Sequence, residues 1–338
     1  MKKYLLPAIK FLVFLGLGAF LSWLAVRGLN EEDKAQISRS VSGANYGWIA
    51  LSMSIGIFAH FIRAVRWKML LQPLGFNPKN GNTFYAVMIG YLGNLALPRL
   101  GEVLRCGILK RYENIPLTQS FGTVIAERVI DLLMLLLLFI ASAWLQYQRM
   151  RDFLVTNILV PVKLKLLTLA ENKMVLLLMI AALFAGTVLF FVFRKKILQN
   201  ALAQKVRALL LSFWEGIQTV AKVKSPLLFV FHSLLIWALY LLTVFACVFA
   251  FSETKTMTLG DCLAIMCFGS LGVIATPGGV GAYQWIVLQI MLLWGYSTAM
   301  GVAFGWMVWL AQTAVVLLVG LLSFGLLALS NKETAPNP

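Results

Sequence analysis

Two long apolar segments of this chain are interrupted near their middles by polar runs rich in proline and glycine. The first runs from Tyr85 to Leu97 and breaks at Pro98-Arg99-Leu100-Gly101-Glu102. The second runs from Leu259 to Ala275 and breaks at Thr276-Pro277-Gly278-Gly279-Val280-Gly281. In lipid every backbone N–H and C=O must find a partner, so a broken helix survives there only where protein or a polar cavity covers the freed groups. Interruptions at matching places in two halves of a chain point to a binding site built from discontinuous helices.

Composition supplies the bilayer. Of the 338 residues 60% are hydrophobic, more apolar surface than a water-soluble domain of this size can bury. The formal net charge of +16 comes from basic residues clustered at the ends of apolar runs. That is the pattern of cytoplasmic loops, and no nucleic-acid partner is expected. After Met1-Lys2-Lys3, the run from Leu5 to Val26 is too long for a cleavable leader and lacks a small-x-small exit, so it reads as an uncleaved first span. Cys106, Cys247, Cys262 and Cys267 lie in or beside apolar segments without a CxxC pair, which predicts buried free thiols. His60 and His232 make no metal-ligand pair and no nucleotide loop is present, so no cofactor is expected. No polar stretch is long enough for a soluble catalytic domain, and the chain is not expected to be an enzyme.

The expected fold is an all-α polytopic membrane protein of about six full spans plus two re-entrant broken hairpins. The spans fall near 5–27, 45–67, 118–146, 173–194, 226–251 and 298–328, each long enough for a core of about 30 Å. The hairpins cover 83–112 and 258–296. With both termini cytoplasmic, the basic clusters at 2–10, 63–79 and 194–224 collect on the inner side. Each half then reads span, span, hairpin, span. An odd number of crossings makes the second half enter upside down, an inverted repeat with one hairpin from each face. Residues 1–147 form the first repeat, 148–172 an outer linker, 173–330 the second repeat and 331–338 a disordered tail. Within the second unit, 195–224 alternates apolar and basic residues at helical spacing. It reads as an amphipathic helix on the inner leaflet, or else as a plain basic loop.

The charges within apolar segments carry the chemistry. Arg99, Glu102 and Arg105 recur every third residue, which puts them on one face of a helix. Pro98 suits the first turn of the second arm, whose free N–H groups and positive dipole end then face into the membrane. Flanked by arginines, such an end suits an anion, above all a phosphate; the alternative is that these charges snorkel at the interface. Glu127, Arg128 and Asp131 open the third span as candidates for function, with structural pairing to Arg99 or Arg105 as the alternative. Gly278, Gly279 and Gly281 offer backbone without side-chain bulk, followed by the hydroxyl of Tyr283 and the amide of Gln284. The alternative there is a tight turn with no ligand. Arg63-x-x-Arg66-Trp67-Lys68 closes the second span and reads as an interfacial anchor, or else as a direct contact with lipid headgroups.

Four pieces, RWKMLL at 66–71, GNLALPRLGEVLR at 93–105, ERVIDLL at 127–133 and PGGVGAYQ at 277–284, occur in an order that resembles a known family. It is the flippase-like family named for the transmembrane region of lysylphosphatidylglycerol synthase, and the resemblance covers nearly the whole chain. Its members are polytopic bacterial and archaeal membrane proteins. In the two-domain synthases this region is associated with moving a charged lipid between leaflets, while a separate soluble domain attaches the amino acid. The pattern carries over to Asn94, Pro98, Arg99, Gly101, Glu102, Arg105, Glu127, Arg128, Asp131, Pro277, Gly278, Gly279 and Gly281. At 283–284 many relatives look like Arg-Glu, where this chain has Tyr283-Gln284. Nothing here resembles the aminoacyl-transferring domain, so lysyl transfer is not implied.

The resulting expectation is a protein of the bacterial cytoplasmic membrane that binds or translocates an anionic, phosphate-bearing lipid. Asn94, Arg99, Glu102, Arg105, Glu127, Arg128, Asp131, Gly278, Gly279, Gly281, Tyr283 and Gln284 would line its site. Two alternatives stand beside it. One is a membrane-embedded transferase acting on a polyprenyl phosphate or phospholipid, with Glu127 or Asp131 as base. The other is a scaffold for envelope or lipid-modifying enzymes.

Overall fold

The computed structural model describes residues 16–97, 99–148, 151, 160 and 222–331. Ten α-helices of eleven residues or more form the frame there: α1 (Gly16–Val26), α2 (Glu31–Ser42), α3 (Tyr46–Leu71), α4 (Asn80–Ala96) and α5 (Leu100–Glu113), followed by α6 (Leu117–Leu145), α7 (Pro226–Val248), α8 (Leu259–Ala275), α9 (Ala282–Leu293) and α10 (Thr298–Ser330). The protein is an all-α membrane protein. By length and composition α3, α7 and α10 can cross a bilayer. With 29 residues α6 is as long, although it carries Glu127, Arg128 and Asp131. Leu137, Ile140 and Trp144 on α6, Leu227 and Phe231 on α7, and Leu321 and Leu322 on α10 are all exposed. An apolar girdle of that extent is stable only against lipid. All four cysteines are free and buried, as the sequence predicts.

The expected span 5–27 is described only from residue 16 onward. The span 173–194, nearly all of the 148–172 linker, the amphipathic segment up to residue 221 and the tail from 332 lie outside the described residues. Asn331, the first residue of the expected tail, is buried, and its amide exchanges hydrogen bonds with that of Asn82. The polar helix α2 escapes the apolar-pattern reading, yet it has a legible start. Asn30 accepts from the Asp33 N–H at 2.7 Å while the Asp33 carboxylate accepts from the Asn30 N–H at 3.1 Å, a capping box.

Both interrupted segments fold back on themselves. In the first hairpin, α5 returns along α4 so closely that Gly101 faces the backbone of Gly90, while Glu113 at its far end accepts from the Asn82 amide at 2.6 Å. A methyl group on Gly101 would overlap the Gly90 carbonyl. Gly101→Ala is therefore expected to separate the arms and destabilise the protein by about 1–3 kcal/mol, read as a lower melting temperature in detergent. In the second hairpin, Gly272 lies against the Ala282–Tyr283 backbone in the same manner.

The two turns are near copies. Leu97 and Thr276 are both extended, and their N–H groups donate to Gly93 and Gly272 at corresponding positions. Next to the two prolines, Arg99 (φ 68°, ψ 0°) and Gly278 (φ 63°, ψ 9°) share the left-handed conformation. Leu100 N–H then donates to Leu97 at 3.1 Å, and Gly279 N–H to Thr276 at 3.0 Å. Both first arms, α4 and α8, have 17 residues.

Helix α10 relates the hairpins to each other. Its C-terminal end holds the base of the first through Asn331–Asn82, and Gly320 packs on Leu92. Its N-terminal part holds the second, with Gly301 on Leu288 and Gly305 on Gln284. Between these, the Trp309 indole donates to the Gly278 carbonyl at 2.8 Å, and Gly278 packs on Leu95 of the first hairpin. The hairpins thus approach from opposite ends of α10 and touch at their tips. Each has its own core, with Trp67, Leu70, Val87, Cys106 and Leu109 around the first and Cys262, Tyr283, Val287 and Phe304 around the second.

Candidate functional site

Five charged side chains meet inside the first half. Helix α3 places Arg63 and Arg66 three residues apart on one face, and α6 places Glu127 and Asp131 four apart. Arg105 joins from α5. Arg66 and Glu127 are 0% exposed and Arg105 is 3% exposed. Arg63 Nε donates to Glu127 Oε1 at 2.7 Å, and its Nη2 pairs with Asp131. Arg66 Nη2 donates to Asp131 Oδ1 at 2.6 Å, and Arg105 Nη1 to Glu127 Oε2 at 2.9 Å. Helix α7 closes the cluster, with Tyr240 Oη accepting from Arg63 at 3.0 Å and Ser233 Oγ from Arg66 at 3.1 Å. Three guanidinium groups against two carboxylates leave one positive charge in excess, in a region where desolvated charge must be paired.

A second pair lies at the edge of this cluster. Arg128 reaches Glu102 at 3.2 Å, and both side chains are partly exposed. Asn94 links this pair to the break, since its Oδ1 accepts from the Gly101 N–H at 2.8 Å and its amide lies 3.5 Å from Glu102. A narrow cleft, with room for about one water molecule, opens there, lined by Val87, Gly90, Tyr91, Asn94, Gly101, Arg105 and Arg128. Arg105 stacks on the Trp67 ring at 4.6 Å, and its Nε and Nη2 have no hydrogen-bond partner.

Several expectations change. Arg66 and Trp67 are not an interfacial anchor: α3 continues to Leu71, Trp67 is fully buried, and its indole donates to Thr123 Oγ1 at 2.9 Å. The structural pairing weighed for Glu127 holds with Arg105, and α3 supplies Arg63 and Arg66 besides, while Arg128 turns to Glu102. Of the expected face only Glu102 and Arg105 lie on α5, because Arg99 is its left-handed N-cap; Arg105 is buried, Glu102 half-buried and Arg99 exposed at the tip. The first N–H of α5 that points inward is capped by Asn94, so it is not a free donor.

The structure brings together Asn94, Glu102, Arg105, Glu127, Arg128 and Asp131. It keeps Gly278, Gly279, Gly281, Tyr283 and Gln284 in the other hairpin. There Gly281 packs on the backbone of Gly18 in α1, and Tyr283 covers Gly269. Gln284 is 1% exposed, with both amide atoms unpartnered. Sequence reasoning gave Arg63 and Arg66 another role and missed Tyr91, Ser233 and Tyr240. The signal for the arginines was available as two cations one turn apart before the end of an apolar helix.

The match to the family model of the lysylphosphatidylglycerol synthase TM region extends over residues 8–320. The chain belongs to that family. Similarity to the UPF0104 membrane protein MJ1595 of Methanocaldococcus jannaschii is 30% identity over 133 residues, 38% of this chain and 36% of that protein. The UPF0104 membrane protein MJ1078 of the same organism is 26% identical over 203 residues, 60% of this chain and 80% of that one. Glycosyltransferase AglD of Haloferax volcanii is 30% identical over 102 residues, 30% of this chain and 16% of that protein. No solved structure matches the chain. As a member of the lysylphosphatidylglycerol synthase TM-region family, it carries the motifs of residues 93–105 and 127–133 on the helices that build the cluster.

Proposed function

We propose that this protein binds the phosphate of an anionic lipid in the Arg105 cleft and moves that lipid between the leaflets of a bacterial cytoplasmic membrane. The reading is carried by the half-used guanidinium of Arg105, buried and lining a cleft with two of its nitrogens, Nε and Nη2, unpartnered. An unpaired buried donor is unfavourable, and a phosphate oxygen is a strong acceptor for it. The excess positive charge of the cluster favours an anion, and the planar fork of arginine suits phosphate. Leu97 and Val103, exposed beside the break, offer an apolar surface along which lipid tails stay in the bilayer while the headgroup turns inward. Opposed hairpins that touch at their tips suit alternate exposure of such a site to the two faces. The envelope enzymes that make or use the lipid are the expected partners.

The glycosyltransferase name of one relative keeps a membrane-embedded transferase as the second reading. It requires Glu127 or Asp131 as a free base, whereas both carboxylates are held by arginines. The test is a leaflet-resolved exchange assay with purified protein in vesicles. Labelled phosphatidylglycerol is expected to change leaflets faster than in protein-free vesicles, and a labelled lipid lacking phosphate is not. Unchanged rates across a panel of anionic lipids would reject transport, and a covalently altered lipid in the mass spectrum would favour the transferase.

A further inference from the structure

The tip of the first hairpin holds a residue that its own copy shows to be out of place. Arg99 and Gly278 occupy equivalent positions in the two turns with nearly the same left-handed torsions. Such a backbone is natural for glycine and unfavourable for a residue bearing a Cβ. The second hairpin has the relaxed choice. The first retains an arginine there, one of only two non-glycine residues with positive φ among those described. Strain of this kind persists where the side chain is used.

The surroundings of Arg99 indicate a use. It is exposed and has no ion pair or hydrogen-bond partner among the described residues, in contrast to the engaged Arg63, Arg66, Arg105 and Arg128. Leu97 and Val103 on either side of it are exposed apolar groups. Arg99 lies three residues, about 4.5 Å of helical rise, beyond Glu102 toward the tip. An unpaired cation among apolar side chains is costly in a bilayer unless an anion or water meets it.

The geometry points to Arg99 as the docking residue for a phosphate-bearing anion, the first contact before the anion passes Arg128 and reaches the Arg105 cleft. This rests on the reading of that cleft as an anion site. The rise from Arg99 to Arg105 is about 9 Å along α5, and Arg128, whose Nε is also unpartnered, lines the cleft beside Arg105. In this reading the three guanidinium groups serve in turn, from the exposed tip to the buried cluster. The second hairpin has glycine at the docking position and no such arginines behind it.

The experiment measures binding of a labelled short-chain phosphatidylglycerol to the full-length protein in detergent, with Arg99→Gly, Arg99→Lys and Arg105→Gln beside the parent. Arg99→Gly is expected to weaken binding by about tenfold or more while raising the melting temperature by about 2–4 °C. Arg99→Lys is expected to retain most of the binding without the gain in melting temperature. Parent-like binding by Arg99→Gly overturns the inference, as does a melting temperature at or below the parent's. If Arg105→Gln loses binding and Arg99→Gly does not, the cleft reading stands and the docking role falls. If neither loses it, both fall. Displacement of the label by inorganic phosphate assigns the docking position to a soluble anion, and displacement only by unlabelled phosphatidylglycerol assigns it to a lipid headgroup. Either result keeps Arg99 as the contact.

Discussion

Glu127→Ala is expected to lower the melting temperature of the detergent-solubilised protein by about 10 °C, the largest stability effect of any single substitution in the charge cluster. Glu127 is fully buried and accepts from Arg63 and Arg105 on its two oxygens, with Arg66 3.6 Å away. Without it, three guanidinium groups share the single carboxylate of Asp131. Removing one partner of a buried ion pair leaves an uncompensated charge and destabilises by about 3–5 kcal/mol, and each kcal/mol moves a chain of this class by about 2–4 °C. Glu127→Gln preserves shape and some hydrogen bonding but not charge, so it should lie only slightly above the alanine variant. Differential scanning fluorimetry on the three proteins decides the matter. A glutamine variant that melts with the parent would mean that hydrogen bonding, rather than charge, holds α3, α5 and α6 together.

Arg105→Gln is expected to separate function from stability. This substitution removes the surplus cation and leaves Arg63 and Arg66 facing Glu127 and Asp131 in balance. The protein should therefore fold, with a melting temperature well above that of Glu127→Ala. Its cleft has lost the one buried guanidinium among the described residues with two unpartnered nitrogens, so labelled phosphatidylglycerol should exchange at least about tenfold more slowly in vesicles. Arg105→Lys restores the charge but neither the fork nor the guanidinium contact over the Trp67 ring at 4.6 Å, and an intermediate rate is expected. Exchange by Arg105→Gln at the parent rate, with the protein folded, would remove the cleft from the mechanism.

Much of the fold was legible because its signals are local. Apolar runs at Tyr46–Leu71, Leu117–Leu145, Pro226–Val248 and Thr298–Ser330 emerged as helices within a few residues of the expected ends. Pro98 and Pro277, each followed by glycine-containing runs, marked the two breaks, since proline cannot continue the preceding arm. The site was legible only in part. Asn94, Glu102, Arg105, Glu127, Arg128 and Asp131 could be singled out as charges and amides within apolar segments. Arg66 and Trp67 were misassigned because a Trp among cations at a helix end has the same local pattern whether it meets headgroups or a neighbouring helix.

What the sequence by itself determined is therefore the solvent, the helices and the two interruptions, because hydrophobic length and backbone hydrogen bonding in lipid act residue by residue along the chain. What only the tertiary structure decided is which charges meet. Arg63 and Glu127 are 64 residues apart in the chain and 2.7 Å apart in space, and no local pattern encodes that pairing. The same holds for the tips. Leu95 and Gly278 come together because α10 holds one hairpin at each of its ends, and that contact exists only once the whole membrane-embedded bundle has packed.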